Sequence, residues 1–109
     1  MHSIGHIRTI KTRNVRVVVD ACEECSPDIS FDGTNETRDK INSGEWIIFC
    51  ARARCFVKGI EVATDYLGNC IYPSFADFKT PGGYFGDMVR NVLHETRSEL
   101  RDLRSIRIR

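Results

Sequence analysis

Cys22-Glu23-Glu24-Cys25 is a CxxC pair, and zinc is the first chemistry it raises. A structural zinc site takes about four ligands, usually from two such pairs. The second pair would have to be Cys50 and Cys55, which lie five residues apart and so point to opposite faces of a strand. Cys70, His2 and His6 are the other candidate ligands. Glu23 and Glu24 disfavour thiolate formation without a metal, and a redox dithiol lacks its βαβ context here. The cysteines read instead as small apolar fillers; no metal and no cofactor is expected. His94 falls on the polar side of a predicted helix, and no spacing gives it a nucleophile to activate. Gly82-Gly83 precede the same helix, where a bound anion would be favoured. The residues of a phosphate loop do not accompany them, and a helix-entry loop accounts for the pair. With no GxSxG, HExxH or dinucleotide fingerprint in the chain, no catalytic residue is assigned and a non-enzymatic protein is expected.

Binding chemistry is better represented. In GEWIIFCARARCFVKG, residues 44–59, Arg52 and Arg54 interrupt an otherwise apolar run. Alternation along a strand puts Ile47, Phe49, Ala51, Ala53, Cys55 and Val57 on one face, and Trp46, Ile48, Cys50, Arg52, Arg54 and Phe56 on the other. The first face is built to be covered. Its central alanines admit a helix at close range. The second is mixed, and aromatic residues with arginine are the composition enriched in interface cores. Trp46, Arg52, Arg54 and Phe56 are therefore the expected partner-binding residues. A host protein is the first partner class, and a second copy of the chain is another occupant for that face. Nucleic acid is the alternative: Arg8, Lys11, Arg13 and Arg16 form a basic N-terminal arm over residues 1–14 and just beyond, and the open face adds stacking and charge. Against it stand the near-neutral net charge of +1 and the acids between residues 20 and 45.

The elements that must position these groups follow from pattern. A chain of 109 residues makes one domain with a core of its own. No apolar run approaches the roughly 20 residues of a membrane helix, and five cysteines without an export signal are expected reduced, in the cytoplasm. Val15 to Asp20 reads as a first strand, followed by a loop over residues 21–33. TNETRDKINSG forms a short helix, capped by Thr34 or Asn35 and stopped at Gly44. The long strand, residues 46–57, turns at Lys58-Gly59 into a third, Ile60 to Tyr66. A two-residue loop pairs Val57 with Ile60, Cys55 with Val62 and Ala53 with Thr64. It sets Phe56 against Glu61, Arg54 against Ala63 and Arg52 against Asp65, so the arginines should find carboxylates on their hairpin neighbour. LGNC reads as a turn before a short strand ending at Pro73, and Ser74 caps a helical turn at Asp77. Phe85, Met88, Val89, Val92, Leu93, Thr96, Leu100 and Leu103 make one apolar helical stripe. Residues 105–109 are a basic tail. The expected fold is α+β: a three- to four-stranded, mainly antiparallel sheet with one face packed by the long C-terminal amphipathic helix.

Four segments also carry a resemblance: Gly44-Glu45-Trp46 with Ala51-Arg52-Ala53, Asp65 with Leu67-Gly68 and Cys70, Tyr72 with Ser74 and Asp77-Phe78, and Gly83 through Arg90. Over about residues 15–105 the chain resembles short proteins carried by phages, plasmids and integrative elements, which have a GEW strand, a D-x-L-G-x-C turn and a GYFxDMVR helix start. The group has no assigned catalytic motif, so no functional residue carries over. What the resemblance implies is context: a mobile-element accessory protein in the host bacterial cytosol. Products of this kind act stoichiometrically on a host macromolecule, as anti-CRISPR and other anti-defence proteins act on a defence complex.

Overall fold

Lys58 and Gly59 both adopt positive φ, 51° and 82°, as a two-residue hairpin turn matched to the strand twist requires. They join β3 (Ile47–Val57) to β4 (Ile60–Tyr72). The computed structural model describes residues 2–23, 35–79 and 83–108; the CxxC cysteine Cys25, the cap candidate Thr34 and the first glycine of Gly82-Gly83 lie outside them. Ahead of the hairpin come β1 (Ser3–Lys11), β2 (Val15–Cys22) and α1 (Asn35–Ser43), and after it α2 (Phe75–Phe78) and α3 (Tyr84–Ile108). The four strands form one antiparallel sheet in the order β1-β2-β3-β4, and α3 packs across one face. The fold is α+β.

The covered face is the one the alternation selects. Phe49, Ala51, Ala53 and Cys55 are fully buried beneath Met88 and Val92 of α3, together with Val17, Val19 and Ala21 of β2. Thr96 is buried too, and its hydroxyl donates to Val92 O at 2.8 Å, which removes the cost of an unpaired polar group. At one end of the core Phe49, Tyr72, Phe75, Phe78 and Phe85 meet at tilted or edge-to-face angles, with ring centroids 5.3 to 6.2 Å apart. Such pairs add about 0.5–1.5 kcal/mol each beyond area burial. Burial also pushes the Tyr72 hydroxyl above its ordinary value of 10.0, with Cys70 and Tyr84 adding to the effect. Ser74 caps α2 as expected, accepting from Asp77 N at 3.3 Å. Gly44, with φ of 85°, ends α1.

Three expectations are corrected. The N-terminal arm is β1, an edge strand paired with β2 along most of its length. Ile4, Ile7 and Ile10 recur every three residues, which masks a period of two. Register shifts between Ser3 and Gly5 and between His6 and Arg8 absorb the mismatch and bring Ile7 into the core at 5% exposure. The hairpin register holds at Val57↔Ile60 and Phe56↔Glu61 and then breaks, because Cys55 pairs with Ala63 rather than Val62. From that bulge on, Arg54 faces Thr64, Arg52 faces Tyr66, and Asp65 lies opposite Ala53. The shift puts Ala63 and Leu67 on the core side. It also leaves Asp65 on the covered side of an edge strand, where water reaches it and its carboxylate accepts Tyr66 N at 3.0 Å. An inward charge at such an edge discourages pairing with further strands. Finally, LGNC is no turn: β4 continues through it over a second register shift, with Asn69 at φ 53°. Past Thr96 the helix stripe outruns its cover. α3 continues to Ile108, through all but the last residue of the expected tail, and Leu103 is 53% exposed.

Candidate functional site

Register places the side chains of the open face in rows across the sheet. Lys11, Arg16, Phe56 and Glu61 form the row nearest the two hairpin turns. Thr9, Val18, Arg54 and Thr64 form the next, then His6, Asp20, Arg52 and Tyr66. Cys22 faces Cys50 beyond them. The face thus changes along its length, from cationic and aromatic at the turns to a buried ion cluster and then thiols.

The carboxylate that answers Arg52 and Arg54 is Asp20 of β2, not Glu61 or Asp65 of β4. Its Oδ2 accepts from Arg54 Nη2 at 2.8 Å and from Arg52 Nη2 at 3.2 Å. The side chains of Asp20, Arg52 and Arg54 are 9%, 13% and 27% exposed. Arg54 Nε is also shielded from solvent with no hydrogen-bond partner. Held this way, the arginines are internal struts more than free contact groups. The bulge explains why the expected β4 partners miss them, and the unbroken β2–β3 register from Val15↔Val57 to Cys22↔Cys50 explains why Asp20 meets them.

Phe56 is half-buried between cations, the guanidinium carbon of Arg16 lying 4.7 Å from its ring centroid and that of Arg54 5.5 Å. Beside it the β1–β2 and β3–β4 turns enclose a cleft of about 260 Å³ lined by Lys11, Thr12, Arg13, Asn14, Val15, Arg16, Phe56, Lys58 and Gly59. Lys11, Arg13, Arg16 and Lys58 are all exposed, and no carboxylate is among the described residues lining the cleft, although Glu61 stands opposite Phe56. Arg8 is exposed on β1 but takes no part in it.

Of the residues singled out for a protein interface, Arg52, Arg54 and Phe56 share the face and Trp46 does not join them. Trp46 precedes β3, its ring 4.4 Å from Lys40 Nζ of α1 and its backbone N–H donating to Lys40 O at 3.1 Å. Ten residues of extended chain separate it from Phe56, roughly 33 Å. Of the nucleic-acid set, Lys11, Arg13 and Arg16 converge. Asp20, Lys58 and Tyr66 were missed. Asp20 and Tyr66 needed the strand order and the bulge; Lys58 was legible as a turn residue, but its proximity to the first hairpin was not.

Cys22, Cys50, Cys55 and Cys70 are buried, Cys50 Sγ donating to Ala51 O at 3.7 Å and Cys70 Sγ to Leu67 O at 3.3 Å. Among the described residues no three metal-ligating side chains cluster, and no described helix is long and apolar enough to cross a membrane. His94 is exposed on α3. No protein family, curated protein or solved structure matches the chain.

Proposed function

We propose that this chain is a non-enzymatic accessory protein of a phage or other mobile element, that it binds a host macromolecule through the open face of its sheet, and that this macromolecule is nucleic acid. The carrying observation is the cleft at the two hairpin turns, which Lys11, Arg13, Arg16 and Lys58 line together with Phe56; Glu61, opposite Phe56, is the one acid of that row and is not among the described residues lining the cleft. Phosphate contacts by Lys and Arg supply most of the affinity in such complexes. The resemblance to short mobile-element proteins supports the setting.

A host protein or defence-complex subunit, as in anti-CRISPR inhibition, is the second reading. Half-buried Phe56 beside exposed Arg16 favours it, while the hold of Asp20 on Arg52 and Arg54 weakens it. A shift assay over a salt series separates the two. Nucleic-acid binding that falls steeply as salt rises is expected, with a slope reduced by Lys11→Gln and Lys58→Gln. Flat or absent binding at low salt removes the reading, and capture of a protein partner that survives high salt replaces it.

A further inference from the structure

The geometry points to an unpaired strand as the ligand: we infer that the open face takes single-stranded nucleic acid, with backbone phosphate in the hairpin-turn cleft and a base against Tyr66. The inference rests on the nucleic-acid reading above and narrows it. Three observations carry it.

Width is the first. Four strands spaced about 4.8 Å apart present a face some 15–19 Å across, whereas the major groove, about 12 Å wide, admits a helix or a two-stranded ribbon. The open face is too broad to enter a duplex.

The second is exposed π surface. Tyr66 is 52% exposed and stands opposite Arg52 in the same row as His6 and Asp20. A paired base hides its faces in the helix stack; an unpaired one offers them to aromatic rings and to guanidinium planes. The Phe56 ring already lies against Arg16 and Arg54, so base stacking falls to Tyr66 and to the exposed plane of Arg16.

Third, the cations are concentrated rather than spread. The cleft residues Arg13 and Lys58 sit on two adjacent turns, with Lys11 and Arg16 on the strands that flank the first, a point of attachment and not the paired rows that two phosphate backbones would call for. From Phe56 to the Tyr66 row is four residues along β3, roughly 13 Å, a few nucleotides of extended strand. Thr9 and Thr64 occupy the row between and offer hydroxyls to bases or sugars.

The test uses the full chain with fluorescein-labelled oligo(dT), oligo(U) of equal length and the matching dA·dT duplex, each followed by anisotropy across a salt series. Either single strand is expected to bind about ten-fold or more tightly than the duplex, with a log–log salt slope of about −2 to −3 from three or four phosphate contacts. Tyr66→Ala should weaken single-strand binding about ten-fold at an unchanged slope, and Tyr66→Phe should restore it. Lys58→Gln should instead lower the slope by about 0.7. Duplex binding equal to or tighter than single-strand binding, or a Tyr66→Ala variant that binds as well as the parent, overturns the inference and leaves the nucleic-acid reading standing. Failure of all three probes at low salt overturns both.

Discussion

The two faces of β3 share one backbone and differ in almost everything else. Toward α3 the strand presents Phe49, Ala51, Ala53 and Cys55, each fully buried. Toward the other side it presents Arg52, Arg54 and Phe56, each partly exposed. The covered face is set by β3's own alternation, because any strand with that pattern must be roofed. The open face is set by a neighbour. Asp20 arrives from β2, takes both arginines and divides the face into an ion-paired middle and a more cationic end at Phe56. A side chain's type says that it faces water or a partner; the adjacent strand decides which.

The largest effect should come from the covered face. Phe49 is fully buried and contacts Tyr72, Phe75 and Phe78. Phe49→Ala is expected to cost about 3–5 kcal/mol in urea-induced unfolding. A loss below about 1 kcal/mol would mean that α3 and α2 do not close a core over β3 at all.

Asp20→Asn comes next and tests the open face. Removing one partner from a buried ion cluster typically costs about 3–5 kcal/mol. The 27% exposure of Arg54 argues for the lower end. The companion variant replaces the whole cluster, Asp20→Leu with Arg52→Met and Arg54→Met, and should unfold at higher urea than Asp20→Asn, since an apolar cluster leaves no charge unpaired. An Asp20→Asn cost under about 0.5 kcal/mol would class these pairs with solvated surface bridges.

How much of this was readable beforehand follows from the same contrast. The helix stripe from Phe85 to Thr96, the turn at Lys58-Gly59 and the side of β3 that is roofed are local patterns, and the structure has them. Asp20 looked like the last residue of a strand with nothing opposite it, because strand order is a property of the whole chain. The bulge at Val62 is a bargain between packing Ala63 and Leu67 inward and keeping Glu61 outward, and neither residue alone announces it. In β1, Ile4, Ile7 and Ile10 spaced by three hid a strand that two register shifts accommodate. The cleft is the clearest case: Arg13 and Lys58 are 45 positions apart and meet only because both hairpins turn at the same end of the sheet.

A smaller effect should appear where the sheet touches α2. A Cβ built on Gly5 would press into the Phe75 ring, closer than any relaxed contact. Gly5→Ala must therefore displace an aromatic side chain that packs edge-on against Phe49. Overpacking of this order costs about 1–3 kcal/mol. Pairing it with Phe75→Leu should recover part of the loss in thermal unfolding. Full additivity of the two changes would show that Gly5 and Phe75 do not meet.

Lys58 offers the smallest stability effect and the sharpest contrast between folding and binding. Its φ of 51° is left-handed backbone that a lysine occupies at a cost and that asparagine tolerates better. Lys58→Asn is therefore expected to stabilise the hairpin by about 0.5 kcal/mol while removing one of the four cations that line the cleft. Thermal unfolding and the oligo(dT) salt series, run on the same preparation, give both readings. A more stable variant that binds less tightly identifies Lys58 as a residue kept for its charge against the preference of its own turn. A variant more stable and equally tight would move the phosphate contact elsewhere on the face.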